Sequence, residues 1–349
     1  MKKIYLSLPV WCILFLSGSL FAGNPDRQGE AGANQLLINP WAKSAGLHTM
    51  NTAITSGAEA MFLNVAGLSR INKTQLQLSH TRYLVGADIN LNALGFAQRV
   101  GKGGAFGINL VALDLGKFDY TTEDTPEGTG ATFTPSFFNM GLSYSYLFDN
   151  KVSVGVTAKF VSEGVANAHA SAFAIDAGVQ YVTGPNDNFK FGISLRNVGS
   201  KMRFTGEGLS KGLPNPGPFS YDNTYYERSS AYELPSQLNI GMAYDWLLGR
   251  INRLSLIANF TSNAFSRDQI GGGLEFNMGK NFALRAGYKM EFDAPAGSAQ
   301  ATLDNGFSGG FSISTPFKKN SDSRLSLDYA YRATSVYQGI HNIGIRIDL

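Results

Sequence analysis

The residues of this chain that are best able to do chemistry are few and scattered. Its four histidines stand far apart, without the short intervals that zinc ligands need: His48, His80, His169 and His341. Neither a Gly-x-Ser-x-Gly elbow nor a His-Glu-x-x-His motif occurs. We therefore predict no catalytic residue, no metal site and no cofactor. The alternative is a hydrolase whose serine and histidine meet across neighbouring strands.

The N-terminal residues have the pattern of an export signal. Lys2 and Lys3 precede an apolar core, and the small residue Ala22 follows it, which predicts a signal peptide at residues 1–22. A membrane anchor is the alternative, but the apolar core is short for one. The only cysteine, Cys12, lies in this segment, so the exported chain would have no disulfide to stabilise it.

The charge balance argues against a nucleic-acid partner. Loss of the two lysines near the N terminus lowers the formal net charge from +3 to +1, whereas nucleic-acid binding needs a clustered basic surface. Charged residues make up only 16% of the chain, and about a quarter is usual for a soluble domain. The composition therefore favours a chain with extensive apolar contact.

From about residue 73 to the C terminus, large apolar residues alternate with polar or small ones, as in "RLSLDYAY". A period of two indicates β-strands, and each segment is about as long as the ~9–11 residues that a tilted strand needs to cross a membrane. We predict fourteen strands, at approximately residues 73–83, 88–99, 104–116, 135–148, 151–163, 170–183, 188–198, 235–248, 251–262, 269–278, 281–292, 305–316, 323–333 and 339–349.

Two features favour a transmembrane β-barrel over a soluble β-sandwich, which also alternates. The polar face carries mostly Ser, Gly and Asn, and the other face carries the aromatic and large aliphatic residues. Short turns alternate with mostly longer loops, as in outer-membrane barrels, and closure removes the sheet edges that a bilayer cannot hydrate. We predict an all-β fold: a transmembrane antiparallel β-barrel of about 14 strands, residues 73–349, in contact with lipid in the bacterial cell outer membrane.

The charged residues of the polar face fall into three predicted cross-strand pairs. Counting across each hairpin sets Asp176 opposite Arg196, Glu275 opposite Arg285 and Asp328 opposite Arg346. Opposed opposite charges on neighbouring strands stabilise a sheet by roughly 0.2–1 kcal/mol each. These lumen ion pairs form either a structural ladder that fixes the strand register or a polar path that binds a ligand headgroup.

Residues 23–72 do not alternate, and they are apolar, rich in small residues and nearly uncharged. Such a segment is too apolar for a solvated linker and too long to be left unpacked. A barrel of fourteen strands is wider than the eight-stranded barrels that side chains fill. We predict that the segment folds into the lumen as a hatch, or plug; a separate periplasmic arm is the alternative.

Five stretches carry a resemblance to a known family. They are "LLINPWAKSAGLHTMNTAITSGAEAMFLNVAGLSRI", "LQLSHTRYLVGADINLNALGFAQRVGKGGAFGINLVAL", "GVTAKFVSEGVANAHASAFAIDAGVQY", "FGISLRNVGSKMRFTGEGL" and "ELPSQLNIGMAYDW". They resemble the PorV/PorQ family of outer-membrane proteins, whose barrels are similar to FadL-type fatty-acid channels. The family has Asn-Pro-Ala-Gly before its first strand, and this chain has Asn64, Val65, Ala66 and Gly67 there. The resemblance implies a 14-stranded barrel with an N-terminal hatch whose last turn contains Asn64, Ala66 and Gly67.

The resemblance also implies a function. Its named members act in type IX secretion, so we expect a non-enzymatic barrel that works through protein partners: a secretion translocon, secreted cargo or a surface-attachment complex. The FadL likeness implies an alternative, transport of hydrophobic small molecules across the outer membrane. A structural barrel without a transport role is a third possibility.

The longest loop, residues 199–234, carries several aromatic residues among glycines and prolines. Exposed aromatic residues next to arginine are frequent at protein interfaces. The loop is therefore predicted either to bind a protein partner or to fold over the barrel mouth as a lid. The residues predicted to contact a partner are Phe219, Tyr221, Tyr225, Tyr226, Arg228 and Tyr232.

Overall fold

The computed structural model describes residues 25–122, 124–215, 221–292, 303, 306–317, 323–335 and 337–349. The predicted signal peptide at residues 1–22 and the loop residue Phe219 lie outside the described residues. In the described part of the chain, no helix is long and apolar enough to cross a membrane.

The chain folds as a closed antiparallel barrel of fourteen strands, which confirms the predicted fold class. The barrel order is β1-β18-β17-β16-β15-β14-β13-β12-β9-β8-β7-β6-β3-β2. The strands are β1 (Thr74–Tyr83), β2 (Ile89–Val100), β3 (Gly104–Asp114), β4 (Phe118–Asp119), β5 (Thr132–Phe133), β6 (Ser136–Phe148), β7 (Val152–Val165), β8 (Ala168–Thr183), β9 (Phe189–Gly199), β10 (Ser210–Pro214), β11 (Asp222–Tyr226), β12 (Gln237–Leu248), β13 (Asn252–Asn263), β14 (Gln269–Met278), β15 (Phe282–Glu291), β16 (Gly306–Pro316), β17 (Arg324–Arg332) and β18 (Ile340–Asp348).

Four of these strands lie outside the barrel wall, in two small hairpins. β4 pairs with β5 in the loop after β3, and β10 pairs with β11 in the loop after β9. The helices are equally short. They are α1 (Ala42–Ala45), α2 (Ala60–Leu63) and 3-10 turns at Pro25–Arg27, Asn34–Leu37, Val65–Arg70 and Glu207–Leu209.

The barrel wall is closed by pairing of the first strand with the last, over a register that runs from Gln75 opposite Asp348 to Arg82 opposite His341. Its outer face is apolar: on β1, Leu78 is 48% exposed, whereas its neighbour Gln77, on the inner face, is 1% exposed. The same alternation recurs around the wall. An outward apolar face is what hydrocarbon requires of a strand, and closure leaves no unpaired edge in the bilayer.

The two ends of the barrel differ. At one end, here called the short-turn end, the strands are joined by residues 101–103, 149–151, 184–188, 249–251, 279–281 and 317–323. The opposite end, the long-loop end, carries the two small hairpins and the loop at 200–236, although the β7–β8 connection there is only Ala166 and Asn167. Short turns face the periplasm in outer-membrane barrels, so the short-turn end is the periplasmic one.

Residues 25–72, here called the lumenal segment, lie inside the barrel. The segment starts near the long-loop end, where the Gly32 amide donates to the Glu233 carbonyl at 3.0 Å. It ends near the short-turn end, where Arg70 Nη2 donates to the Lys151 carbonyl at 3.3 Å. Along its path, inward-facing side chains of the wall donate to its backbone carbonyls, as Gln180 does to Thr55 at 2.9 Å. Hydrogen bonds from the wall thereby satisfy backbone carbonyl groups of the segment that lie outside any regular helix or sheet.

Glycines on the inner wall let the lumenal segment approach the strands closely. A Cβ on Gly155 would lie 2.8 Å from the Val65 carbonyl oxygen, and one on Gly192 would lie 2.6 Å from the Thr52 carbonyl oxygen. Both distances are shorter than any ordinary contact, and in each case the obstacle is backbone. The segment and the wall therefore fit only because these positions lack a side chain.

The apolar core of the molecule lies between the segment and the wall. Trp41 is fully buried, and it packs in a cluster with Phe62 and Leu63 of the segment and with Leu91, Ala93 and Val111 of β2 and β3. A second cluster joins Leu36 to β7, β8 and the loop before β12. The described lumen is therefore a packed interior built by the lumenal segment.

Candidate functional site

A cavity of about 360 Å³ opens between the start of the lumenal segment and the long-loop end. None of the described residues that line it is charged. Its apolar lining includes Leu37, Ile38, Tyr83, Phe265 and Leu303, and its polar lining is of amide and hydroxyl groups. We call it the long-loop cavity. Apolar walls with a few uncharged polar groups are the usual lining of a site for a small organic molecule.

The rim of the long-loop cavity is held by charged residues that tie the loop to the segment. The Arg27 guanidinium lies 4.4 Å from the centre of the Phe265 ring, and it also contacts Glu30 at 2.7 Å and Glu233 at 3.6 Å. Lys201 contacts the same Glu233 at 3.1 Å. The hydrogen bond from Lys201 holds the pKa of Glu233 below its usual value, and Arg27 adds to the effect.

Glu163 of β7 joins the loop and the segment at a second point. Its carboxylate accepts a hydrogen bond of 2.6 Å from the Tyr232 hydroxyl and another of 2.6 Å from Gln35 Nε2. Burial, together with the neighbouring carboxylate, raises the pKa of Tyr232. The hydroxyl therefore stays protonated and remains a donor to Glu163.

Two polar cavities of about 340 and 270 Å³ adjoin at the short-turn end. They share the side chains of Lys43, Arg253 and Glu275 in their linings, so we treat them as one space, the short-turn vestibule. Lys43 reaches it from the lumenal segment, where it also contacts the buried Glu59 at 3.3 Å. The vestibule is charged where the long-loop cavity is not.

A groove of about 540 Å³ lies on the outer wall, over β18, β1, β2, β3 and β6. Its polar centre is a hydrogen bond of 2.8 Å between His80 and Asn92, among residues such as Leu78, Leu94 and Ile343. It opens toward the bilayer and not into the lumen, so lipid chains have direct access to it.

Two of the three predicted ion pairs come together in the lumen. Glu275 lies opposite Arg285 in the register, with 2.6 Å between the carboxylate and Nε of the guanidinium. Arg346 lies two positions off the predicted register with Asp328, and their closest charged atoms are 3.8 Å apart. Both carboxylates and Arg285 are buried, and Arg346 is half-buried.

The predicted pairing of Asp176 with Arg196 has to be corrected. A β-bulge interrupts the β8–β9 register between Ile175 and Ala177, so β9 sets two residues, Arg196 and Asn197, against Asp176. The Asp176 carboxylate forms its ion pair with Lys159 and accepts from the Asn197 amide at 2.7 Å. A single extra residue in a strand redirects the side chains beyond it, which counting across a hairpin does not reveal.

Arg196 serves the lumenal segment instead. Its Nη2 donates to the Leu36 carbonyl at 3.1 Å, its Nη1 donates to Gln237 at 3.1 Å, and its guanidinium carbon lies 4.1 Å from the centre of the Phe62 ring. A planar cation stacked on an aromatic face keeps its donors free for oxygen acceptors. Sequence reasoning missed this role, because the residues that Arg196 contacts in the segment carry no periodic pattern.

The predicted hatch turn lies deep in the lumen, with Asn64, Ala66 and Gly67 all buried. Asn64 Oδ1 caps the 3-10 turn by accepting from the Ala66 amide at 3.3 Å, and its Nδ2 donates to the Thr52 and Val179 carbonyls at 3.0 and 3.1 Å. The Gly67 carbonyl accepts from the Gly57 amide at 3.2 Å. This turn therefore binds the segment both to itself and to β8.

The aromatic residues predicted to bind a partner separate into two groups. Tyr221, Tyr225, Tyr226 and Arg228 are exposed on or beside the β10–β11 hairpin, away from the lumen. Tyr232 is half-buried and bonded to Glu163, so it faces the barrel interior. The loop is thus divided into an outer hairpin and an inner part that contacts the segment.

Sequence comparison gives a partial match. A family model described as "Putative MetA-pathway of phenol degradation" matches residues 98–211, about a third of the chain. The match runs from the end of β2 to the β10 hairpin strand. No curated protein sequence matches this chain significantly.

Structural comparison identifies similar barrels. The Pseudomonas putida toluene transporter TodX aligns with a TM-score of 0.55 at 14% identity, over 89% of this chain and 97% of that one. The Ralstonia pickettii toluene transporter TbuX aligns with a TM-score of 0.50 at 13% identity, over 89% of this chain and 96% of that one. A Pseudomonas aeruginosa FadL homologue aligns equally well, at 13% identity over 88% and 96% of the two chains. The chain has the fold of a FadL-like outer-membrane barrel.

These findings correct the function expected from the sequence. The prediction of a type IX secretion role through protein partners is wrong, because the similar structures are transporters of hydrophobic small molecules. The comparisons support only the broader part of the PorV/PorQ resemblance, which is a FadL-like barrel in the outer membrane. TodX and TbuX are described as toluene transporters, and the similar barrel CymD is described as a monoaromatic hydrocarbon channel.

Proposed function

We propose that this barrel carries hydrophobic small molecules across the outer membrane, with monoaromatic compounds as the substrate class, and that it is not an enzyme. The observation that carries the proposal is the uncharged long-loop cavity, at the outer mouth of a barrel whose fold is shared with toluene transporters. The match to a phenol-degradation family model supports an aromatic substrate.

The size of the long-loop cavity suits such a substrate. A dry apolar cavity of about 150 Å³ is large enough to bind benzene, and this cavity measures about 360 Å³. Phe265 offers an aromatic face, Leu37 and Ile38 offer aliphatic surface, and Asn263 and Gln237 offer polar groups at the edge. Burial of an apolar ligand there is favourable by roughly 25 cal/mol per Å² of surface removed from water.

We further propose that the lumenal segment acts as the hatch. Its packing against β2, β3, β7 and β8 fills the lumen that a barrel of fourteen strands would otherwise leave. A molecule that enters the long-loop cavity meets the segment at Leu37 and Ile38. Passage would therefore require the segment to rearrange or the molecule to leave along the wall.

The test is uptake of labelled toluene by intact cells that lack their own channel of this type. We expect cells that express the chain to accumulate toluene faster than cells with an empty vector. Ser266→Trp places a large ring in the long-loop cavity, of which Ser266 is a lining residue, and it should abolish the gain. Ala131→Trp adds the same ring to an exposed position of another loop and serves as the matched control.

Equal expression of both variants is checked by the shift in gel mobility that a folded barrel shows on heating. Toluene uptake that is the same with and without the protein would contradict the proposal. Equally high toluene uptake by the Ser266→Trp and Ala131→Trp variants would also contradict it, because the long-loop cavity would then not be on the transport route.

A further inference from the structure

The short-turn vestibule has a charge imbalance that the proposed transport of uncharged molecules does not use. Among the described residues, its two cavities are lined by eight cationic and four anionic side chains. The cationic residues are Lys43, Arg70, Lys190, Arg253, Lys280, Arg285, Arg324 and Arg346, and the anionic residues are Asp187, Asp245, Glu275 and Asp348.

Two buried carboxylates behind the lining reduce the excess of cations over anions without removing it. Glu59 contacts Lys43 at 3.3 Å, and Asp328 lies 3.8 Å from Arg346. With both counted, eight cations face six carboxylates. Glu275 is shared between Arg285 at 2.6 Å and Arg253 at 3.8 Å, and Asp245 is shared between Lys190 at 2.6 Å and Arg253 at 3.7 Å.

Within the described residues Arg324 forms no ion pair, and the same is true of Arg70 and Lys280. Arg324 Nη2 donates to the Lys280 carbonyl at 2.7 Å, Asn281 Oδ1 at 2.6 Å and the Ser314 carbonyl at 3.1 Å, all of them neutral oxygens. Among the described residues its buried Nε finds no hydrogen-bond partner. Lys280 lies beside it on the exposed turn between β14 and β15. Asp348 lies opposite Arg324 in the register, but its ion pair is with Arg346 at 3.3 Å. Among the described residues, this corner of the vestibule therefore holds two cations without an ion pair of their own.

Hydroxyl groups complete the lining on the same side. Ser314 of β16 and Ser326 of β17 line the vestibule beside Arg324 and Arg346. Their hydroxyl groups are hydrogen-bonded to each other at 2.7 Å, which leaves the proton of one of them for a ligand. Serine hydroxyls can donate to an oxyanion, and guanidinium groups bind carboxylate and phosphate through paired donors. A cleft lined by an excess of one charge, with low-dielectric walls, also concentrates ions of the opposite sign.

We propose that the short-turn vestibule is a binding site for a small oxyanion, a carboxylate or phosphate group that enters from the periplasmic end. Arg324 and Lys280 supply the charge, and whichever of Ser314 and Ser326 does not donate to the other supplies a further hydroxyl donor. The site is on the opposite side of the lumenal segment from the long-loop cavity, so it does not depend on hydrocarbon transport.

The test is isothermal titration of the purified full barrel, in uncharged detergent at low salt, with inorganic phosphate and separately with benzoate. We expect at least one of the two anions to bind. Binding of phosphate alone identifies a site for free inorganic anions, and tighter binding of benzoate identifies one for aromatic carboxylates. Because the Debye length shortens to about 10 Å at 0.1 M salt, added chloride should weaken the binding.

Two variants locate the site. Arg324→Gln removes one charge-assisted hydrogen bond, which corresponds to about a tenfold loss of affinity, and Lys280→Gln on the exposed turn should also weaken binding. Lys102→Gln, at a different short turn, leaves the vestibule intact and is the matched control. Absence of binding for both anions would overturn the proposal. The proposal would also be overturned if the folded Arg324→Gln and Lys280→Gln barrels bound the anions as tightly as the folded Lys102→Gln barrel does.

Discussion

At the scale of single residues, the buried charges of the lumen are arranged around the lumenal segment as much as around the strands. Arg196 donates to the Leu36 carbonyl and stacks on Phe62, and Lys43 of the segment contacts the buried Glu59. A charge removed from water is costly unless it is paired and hydrogen-bonded. Arg196 has two hydrogen bonds and an aromatic face, and Lys43 has a carboxylate, so each cation also fixes a part of the segment.

The pair Glu275–Arg285 allows a test of how much such a buried contact contributes. Arg285→Gln removes the guanidinium that bonds both Glu275 and Ser312, each at 2.6 Å. It leaves the Glu275 carboxylate buried with Asn277 and a more distant Arg253. Breaking one side of a buried pair costs about 3 kcal/mol or more. We expect the free energy of unfolding, measured in urea with lipid vesicles, to fall by about 3 kcal/mol.

The double variant Glu275→Gln with Arg285→Gln separates the pair from simple loss of packing. Removal of both charges leaves no buried ion without a partner, so the double variant should be more stable than Arg285→Gln alone. A double variant less stable than either single one would show that the two side chains act independently of their charges.

At the scale of elements, the strands were predictable because the bilayer imposes a period of two on every one of them. The bounds agree within a few residues: the segment predicted at 269–278 is β14, and the one predicted at 104–116 is β3, which ends at Asp114. The bulge in β9 was not predictable, because an extra residue leaves no mark in the alternation. It was enough to move Arg196 away from Asp176.

The lumenal segment illustrates the opposite case. Its short helices are of only four residues each, and its backbone is satisfied by side chains from distant strands, as Ser145 Oγ is bonded to the Ala66 carbonyl at 2.9 Å. Local propensity does not encode such contacts. The composition of the segment indicated that it must be packed against other parts of the chain. It did not indicate which wall residues the segment contacts, such as the inner-wall glycines, because those contacts form only in the folded barrel.

The junction between the loop and the lumenal segment should respond to pH. Glu233 has a pKa below its usual value of 4.5, first because Lys201 donates to it and then because of Arg27. A carboxyl group whose folded pKa is depressed stabilises the fold above its unfolded pKa, and the effect is lost as the pH falls through the folded value. We therefore expect the contact to be intact above about pH 5 and weakened below pH 4.

Hydrogen exchange measures this contact through the Gly32 amide, which donates to the Glu233 carbonyl at 3.0 Å, and the Glu233 amide. Their protection factors should decrease below pH 4 in the natural chain. In Glu233→Gln they should be lower at neutral pH and insensitive to acid. Equal pH dependence in both proteins would assign the effect to another group.

At the scale of the whole molecule, the barrel is polarised along its axis. Among the described lining residues, those of the long-loop cavity carry no charge and those of the short-turn vestibule have an excess of cations. The lumenal segment separates the two, and it touches both: Leu37 lines the first and Lys43 lines the second. An apolar molecule and a small anion would therefore meet the same segment from opposite ends, and any movement of the segment would couple the two sites.

The hatch role proposed for the lumenal segment predicts that this segment decides whether the barrel conducts ions. Deletion of residues 25–71 would remove Trp41 and Phe62 from the lumen and leave Leu91 and Val111 facing water. Wide barrels that lack a plug enclose an aqueous channel. We expect the deleted barrel to conduct ions steadily in planar bilayers, with the full chain closed under the same conditions.

Gly192→Ala provides a milder form of the same test, because its Cβ would lie 2.6 Å from the Thr52 carbonyl oxygen and would displace the segment from the wall. It should produce brief openings. Gly212→Ala, where nothing lies within 4 Å of the added Cβ, is the control and should stay closed. Each protein must still shift in gel mobility on heating, since that shift reports a folded barrel. A deleted barrel that folds and remains closed would show that the strands themselves, through their inward side chains, seal the lumen, and the lumenal segment would then have no hatch function.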